Sequence, residues 1–411
     1  MEGRGSISWA AHWIRQPHPE ILSLVFQFAL PDNISALNAS SGISPREAPL
    51  SVTGVSRYWR DVALATPSIW SRLCFDNLKH GLLGFWWISL ARSGECPLDV
   101  YASIQGGCVP VGSELWVTMQ ALMEDLFKSY RCRIRHFSLD ATIAVLPGWD
   151  KHSKLPKVLT LNNLRSLQAL DIHSHWRQVP PDKTTLIVDV SESKRLESMS
   201  IDCDIVSFEF ERGMTFPYLS SIIIRSEWGT INRLDDFLDL LSSAPALEVL
   251  NISVPCMLNS DRSKARLSTD TLHLRRLRVF RLSKPRSIIA GFAAMRTLVA
   301  SLTLPALRSL KVSCFPGYDG SKKARFQATA EFEDAVIQLL KRSRPPLTHY
   351  YGRTKKHSKQ LWETISRLPK PCLCAYEWKS VRSEGAWGAE YVLSGQCFDN
   401  NGCCSGMRRV Y

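Results

Sequence analysis

The sequence predicts a fold of the α+β or α/β class: a small N-terminal helical domain followed by an irregular α/β solenoid. Three observations predict it. Apolar residues recur at helical spacing across much of residues 17–75. A triplet of apolar anchors, spaced by three and then two residues, recurs seven times between 134 and 312. The chain has 411 residues, 45% hydrophobic and 22% charged, which suits two or three packed domains rather than a disordered polymer.

Residues 1–16 read as a lead-in. His18-Pro19-Glu20 then opens a helix, because Pro presets φ at the first helical position and Glu suits the positive end of the dipole. Ile21, Leu22, Val25, Phe26 and Ala29 make its apolar face, and Leu30-Pro31 closes it. Residues 31–49 are rich in Ser, Asn and Pro and read as a long mobile loop. Residues 50–75 begin as a second helix, with Val52, Val55, Trp59, Val62 and Ala63 on one face and Arg57, Arg60 and Asp61 on the wet side. Thr66-Pro67 stops that helix and can start another turn. The stretch ends as a strand.

Pro-Glu-Ile-Leu-x-x-Val-Phe, a break, then Val-Ser-Arg-Tyr-Trp-Arg-Asp-Val-Ala and Pro-Ser-Ile-Trp follow in order. This arrangement resembles the F-box, in particular the F-box-like proteins expanded in mushroom-forming fungi, over about residues 17–100. His18 stands where that family's Leu usually does, and Ser56 where a Cys is common. The resemblance implies that residues 17–75 dock onto a Skp-family adaptor and, through it, a cullin–RING ubiquitin ligase. Pro19, Glu20, Ile21, Leu22, Val25 and Phe26 carry over to the family's first binding motif, and Val55 and Trp59 to its second. The implied role is substrate recognition for a Skp–cullin–F-box ligase in cytoplasm or nucleus, with no catalysis and no cofactor of its own.

Residues 76–130 supply linking elements. Residues 82–92 give a helix with Leu83, Trp86, Trp87 and Leu90 inward and Gly94 as its C-cap. Residues 96–104 read as a strand, and residues 112–130 as a helix burying Leu115, Met119, Leu122, Leu126 and Phe127. The repeats occupy 131–350. Their anchors are Ile134/Phe137/Leu139, Leu167/Leu170/Ile172, Leu196/Met199/Ile201, Leu219/Ile222/Ile224, Leu247/Leu250/Ile252, Leu277/Phe280/Leu282 and Leu307/Leu310/Val312. First anchors lie 33, 29, 23, 28, 30 and 30 residues apart, and Leu347 and Tyr350 suggest a degraded eighth unit. The pattern resembles a leucine-rich repeat, whose strand carries L-x-x-L-x-L. The Asn or Cys of regular repeats is replaced by His175, Asp204, Glu227, Pro255, Pro285 and Phe315, so the solenoid is expected to be irregular. Helices at 231–241 and 332–340 fill two connections. An ordinary α/β domain with several short buried strands is the alternative arrangement.

Residues 261–370 carry 24 Lys/Arg and 7 Asp/Glu, net +17 by subtraction, which leaves −4 for the rest of the +13 chain. Strand positions between and after the anchors should share one face. They read Asp171 and His173, Ser200 and Asp202, then Arg225, Asn251, Ser253, Arg281, Ser283 and Lys311, grading from acidic to basic. That face is the candidate partner-binding surface, suited to an acidic or phosphorylated protein. A basic nucleic-acid binder and a repeat scaffold without adaptor binding are the other function classes, but no nucleic-acid-reading motif accompanies the basic charge.

No P-loop, G-x-S-x-G, G-x-G-x-x-G or H-E-x-x-H motif occurs. The twelve cysteines show neither a disulfide framework nor paired zinc-ligand spacing, including Cys372, Cys374, Cys397, Cys403 and Cys404. Reduced thiols, no metal and no membrane span are expected. Residues 351–411 read as a helix through Leu361, Trp362, Ile365 and Leu368, then a capping or loosely ordered tail.

Overall fold

The computed structural model describes residues 17–29, 47–76, 83–110, 114–144, 159–161, 164–177, 186–203, 206–209, 213–225, 234–253, 271–283, 295–313, 322–352, 359–368, 372–380 and 391–397. The chain is α/β and divides into two compact units, Met1–Pro147 and Gly148–Tyr411. The expected loop at 31–49 and the tail beyond residue 397 lie almost wholly outside the described residues.

Unit 1 opens with four helices, α1 (Pro19–Ala29), α2 (Glu47–Val55), α3 (Arg57–Leu64) and α4 (Pro67–Trp70). The single helix expected from residue 50 onward is two. Ser56 is extended, and its hydroxyl caps the Trp59 amide at 3.1 Å, so apolar periodicity runs through a break that the N-cap imposes. Thr66 precedes α4 with Pro67 at its start, but its hydroxyl donates back to the Val62 carbonyl (2.7 Å) instead of capping α4. Leu22, Phe26, Val62, Ala63, Ile69 and Trp70 form the helical core, with Val52, Tyr58, Trp59 and Phe85 packed on it. The Trp70 indole N–H donates to the Ala63 carbonyl (2.8 Å), and the Arg92 guanidinium sits 4.6 Å above its ring.

Two crossovers follow. Strand β1 (Arg72–Asp76), helix α5 (Leu83–Arg92), strand β2 (Leu98–Pro110), helix α6 (Glu114–Tyr130) and strand β3 (Ile134–Ala144) make a parallel β1-β2-β3 sheet. The first anchor triplet lies on β3 and is buried. Gly94 has φ +52°, the left-handed cap expected after α5. Trp86 and Leu90 are buried, whereas Trp87 is exposed, since it falls on the far side of α5. On α6 Met123 joins Leu126 and Phe127 in the core and Leu122 is only half-buried; Leu115 and Met119 lie outside the described side chains. Asp99 on β2 is buried on the other sheet face. It receives two hydrogen bonds from Arg135 (3.0 and 2.8 Å) and contacts His136 Nδ1 (3.2 Å).

In unit 2 the main sheet runs β5 (Ala169–Arg177), β7 (Ser198–Cys203), β9 (Ser221–Arg225), β10 (Val249–Ser253), β12 (Val279–Ser283), β14 (Ser309–Ser313), β15 (His349–Gly352), β16 (Cys372–Ser380) and β17 (Tyr391–Cys397). The first eight are parallel, and β17 returns antiparallel to β16. A parallel neighbour requires a crossover, and the crossovers carry the second-layer elements. These are a small parallel sheet of β4 (Leu159–Leu161), β6 (Leu186–Asp189) and β8 (Val206–Glu209), then helix α7 (Leu234–Ser242), strand β11 (Leu272–His273), helical residues 295–300 (α8), strand β13 (Leu302–Thr303), helix α9 (Lys322–Ser343) and helix α10 (Lys359–Ser366). α9 begins ten residues before the segment read as helical at 332–340. On α7 the buried residues are Phe237, Leu240 and Leu241, with Leu238 half-buried.

Every anchor of the second to seventh triplets, together with Leu347 and Tyr350, is buried. Register explains why. Met199 pairs with Leu170 and Ile222, Leu250 with Ile222 and Phe280, and Leu310 with Phe280 and Tyr350, so anchors stack on anchors. A second repeating element precedes each triplet. The first-anchor amide donates to the carbonyl three residues back in a tight turn, at 3.0–3.4 Å for Leu167, Leu196, Leu219, Leu247, Leu277 and Leu307. The residues at that turn, Leu164, Ser193, Phe216, Ala244, Leu274 and Leu304, are all buried. Phe280→Ala should lower unfolding free energy by about 3–5 kcal/mol in denaturant titration of the full chain, whereas a loss below about 1 kcal/mol would contradict stacking of this anchor between neighbours.

Candidate functional site

Two surfaces, one in each unit, hold the residues the sequence singled out. In unit 1 the surface is α1. Its sequence carries two apolar stripes rather than the one wide face expected. Leu22 and Phe26, one turn apart, are 2% exposed and belong to the helical core. Ile21, Leu24, Val25 and Phe28 stand at i, i+3, i+4 and i+7 and are 52, 51, 49 and 83% exposed. That spacing is a complete helical face, and it points to solvent. Leu50 and Val55 on α2 are exposed as well.

The eight expected adaptor contacts therefore separate. Pro19, Glu20, Ile21, Val25 and Val55 are exposed. Leu22 and Phe26 are corrected to core residues: they hold α1 in place and do not line its surface. Trp59 is half-buried and packs against Phe26, with ring centroids 5.3 Å apart. Leu24 and Phe28 share the exposed stripe without being among the expected contacts, although their i+3 and i+7 spacing from Ile21 is visible in the sequence. His18 contacts Glu20 at the start of α1. A backbone hydrogen bond, with help from His18, holds the Glu20 carboxyl below its ordinary range. The Tyr58 hydroxyl donates to the Pro17 carbonyl (2.6 Å), tying the entry of α1 to α3.

In unit 2 the surface is the sheet face opposite the anchors. Strand alternation turns Asp171, His173, Ser200, Asp202, Arg225, Asn251, Arg281 and Lys311 away from the core. Their register gives two rows across the sheet. One reads Asp171, Ser200, Ile223, Asn251, Arg281, Lys311, Tyr351; the other reads His173, Asp202, Arg225, Ser253, Ser283, Ser313. Among the described side chains of these rows Asn251 is buried, while Arg225, Arg281 and Lys311 are exposed. The expected gradient is present. At the acidic end, His173 Nε2 lies 2.8 Å from Asp171 Oδ1 and its Nδ1 lies 3.9 Å from Asp202 Oδ2. Contact with Asp171, then with Asp202, raises the His173 imidazolium pKa to about 10, against a smaller opposing effect of burial. His173 thus offsets one of the two carboxylate charges at the acidic end.

The position of the expected Asn or Cys ladder lies outside the described side chains. Cys74, Cys96 and Cys132 are thiols. Among the described residues no three His, Cys, Asp or Glu side chains converge as metal ligands, and no helix is long and apolar enough to cross a membrane. No protein-family model matches the chain, and a search of curated proteins finds no match to it.

His173 supplies a testable titration. A raised pKa means that its ion pairing contributes stability in full below its ordinary value of about 6.5 and loses that contribution as pH rises through about 10. NMR of the His173 ring should show a charged imidazolium through neutral pH with a midpoint near 10, and Asp171→Asn should move that midpoint down. An unshifted midpoint near 6.5 in the wild-type chain would contradict the Asp171–His173–Asp202 arrangement.

Proposed function

We propose that the chain is a non-catalytic substrate-recognition adaptor of the F-box-like kind. In this reading α1 to α4 dock onto a Skp-family adaptor, and through it onto a cullin–RING ubiquitin ligase. The leucine-rich-repeat-like strands of unit 2 form a solenoid whose exposed face holds the target protein. The protein itself supplies surfaces, and other subunits perform ubiquitin transfer.

One observation carries the reading. Ile21, Leu24, Val25 and Phe28 form an unbroken apolar helical face that is left in water. Single exposed apolar residues are ordinary, but a contiguous stripe on one helix marks an interaction surface. It falls on the helix whose Pro-Glu-Ile-Leu-x-x-Val-Phe sequence resembles the adaptor-binding motif. The helical core beneath is built separately from Leu22, Phe26, Val62, Ala63, Ile69 and Trp70, so the stripe is spare to the fold. The stack of anchor-bearing parallel strands in unit 2 supports the repeat half of the reading, since each strand buries its anchors only against neighbours.

The test is co-expression of the full chain with a Skp-family adaptor. The wild-type chain should co-purify as a one-to-one complex. Val25→Asp and Phe28→Asp should each weaken it by about tenfold or more while leaving the circular dichroism spectrum unchanged. Leu22→Asp should instead disrupt the helical core and serves as the folding control. Tyr218→Asp, at an exposed position in unit 2, should leave binding intact. A folded wild-type chain that fails to bind, or Val25→Asp and Phe28→Asp variants that bind as wild type, would overturn the assignment.

A further inference from the structure

The turns that lead into β12, β14 and β15 gather five arginines at one edge of unit 2. Arg275, Arg276 and Arg278 flank the first anchor of β12, Arg308 follows that of β14, and Arg344 follows the last residue of α9; all five are exposed. Backbone and hydroxyl bonds fix these turns side by side. The Arg278 carbonyl accepts from the Arg308 amide, and the Arg308 carbonyl from the Thr348 amide, each at 2.8 Å. The Leu274 amide donates to the Thr303 carbonyl at 3.0 Å, and the Leu304 amide to the Ser343 hydroxyl at 2.8 Å. Concentration sets this edge apart. The residue after the first anchor is Gln168, Glu197, Ser220 and Glu248 in the earlier turns, then Arg278 and Arg308. Among the described residues the ion pair in this group is Arg278 with Glu248 at 3.6 Å, which leaves four arginines without one.

Arg344 is held there at a conformational cost. Its φ is +44°, and its amide donates to the Leu340 carbonyl at 2.9 Å, which makes it the left-handed end of α9. Gly94 fills the matching place after α5, and glycine meets such a backbone more cheaply than arginine does. Arg342, two residues earlier, donates to the carbonyls of Val299, Ala300 and Leu302, whereas the Arg344 guanidinium has no such partner among the described residues. Guanidinium forks pair with phosphate oxygens in bidentate fashion. None of the exposed large apolar side chains falls in these turns. The edge therefore offers nothing to bury in a bilayer interface and no apolar anchor for a protein partner. Neighbouring turns stand about 4.8 Å apart, so three turns span roughly 10 Å, enough for one phosphate backbone and not for the two that border a major groove about 12 Å wide.

We propose that the turn edge formed by Arg275, Arg276, Arg278, Arg308 and Arg344 binds the phosphate backbone of single-stranded nucleic acid without regard to sequence. Arg308 stands between the β12 turn and Arg344 and supplies the central contact, while Glu248 marks the acidic border. Contacts to phosphates carry no base information, so no base-reading motif is needed. The site lies on the turns and not on the strand face, and it does not depend on adaptor binding by unit 1.

The experiment titrates a short fluorescent oligouridylate with the full chain and follows anisotropy across a salt series. Four phosphate contacts on a single strand, at about −0.7 each, give a slope of about −3 for log K against log salt. Arg276→Gln and Arg308→Gln should each weaken binding by about tenfold at low salt and make the slope shallower by about 0.7. Arg344→Gly suits the left-handed backbone and should weaken binding equally with the melting temperature retained. Lys128→Gln, at an exposed position on α6 of unit 1, removes the same charge elsewhere and should leave binding unchanged. No binding at low salt, undiminished binding by all three arginine variants, or an equal loss in Lys128→Gln would overturn the proposal. So would tighter binding to phosphatidylserine vesicles or to polyglutamate than to the oligouridylate, which would assign the edge to a membrane or to an acidic protein.

Discussion

One backbone carbonyl in each turn of unit 2 sets the geometry of the rest. The residue after the first anchor directs its carbonyl at two successive amides of the next turn. Gln168 accepts from Glu197 and Ser198, Glu197 from Ser220 and Ser221, Ser220 from Glu248 and Val249, Glu248 from Arg278 and Val279, Arg278 from Arg308 and Ser309, and Arg308 from Thr348 and His349. Most of these bonds are 2.7–3.1 Å long. A strand that slipped by one residue would turn every anchor to water. The fixed carbonyl prevents this, so Leu250 stays between Ile222 and Phe280 whatever the length of the connection. Intervals from 23 residues (Leu196 to Leu219) to 40 residues (Leu307 to Leu347) are therefore tolerated, because the variation is confined to the crossovers. The same register that stacks the anchors places Arg281 beside Lys311.

Unit 1 solves a different problem. Four short helices are too small to form a core from one stripe each, and the core draws on large aromatic residues, Phe26, Trp59, Trp70 and Phe85. Trp70 is fixed from three directions: its N–H on the Ala63 carbonyl, Arg92 over its ring and Phe85 6.3 Å away. Leu22 and Phe26 anchor α1 in that core, and the adjacent Ile21–Phe28 stripe faces solvent. A preformed apolar helix face binds with little ordering cost. The adjoining parallel strands are joined by the buried Asp99. Burial alone would raise its pKa, but hydrogen bonds from His136 and Arg135 outweigh that and hold the carboxyl below its ordinary range.

Much of this was legible in the sequence because the anchors are aliphatic or aromatic at fixed spacing. The turn residue three positions earlier was not, since Leu164, Ser193, Phe216, Ala244, Leu274 and Leu304 share burial but no chemistry. Ser193 belongs there because its hydroxyl bonds the Leu164 carbonyl at 2.9 Å, which apolar patterning cannot reveal. The break at Ser56 was hidden for the opposite reason, as apolar spacing continued across it. The short strands β4, β6 and β8 are only three or four residues long and have no readable period. On α1, periodicity showed which residues were apolar but not which stripe the neighbouring helices would cover. The charge gradient was readable from composition, whereas the His173 pairing and the Arg281–Lys311 adjacency required the register.

The central proposal is that α1 to α4 dock onto the adaptor and that the strands of unit 2 are left available for a target. Amide hydrogen exchange of the full chain, alone and with a Skp-family adaptor, tests it most directly. The account predicts slowed exchange on binding within residues 19–64 and unchanged exchange across β7, β9, β10, β12 and β14. Slowed exchange on those strands with α1 unaffected, or a bound complex in which α1 exchanges as in the free chain, would contradict it.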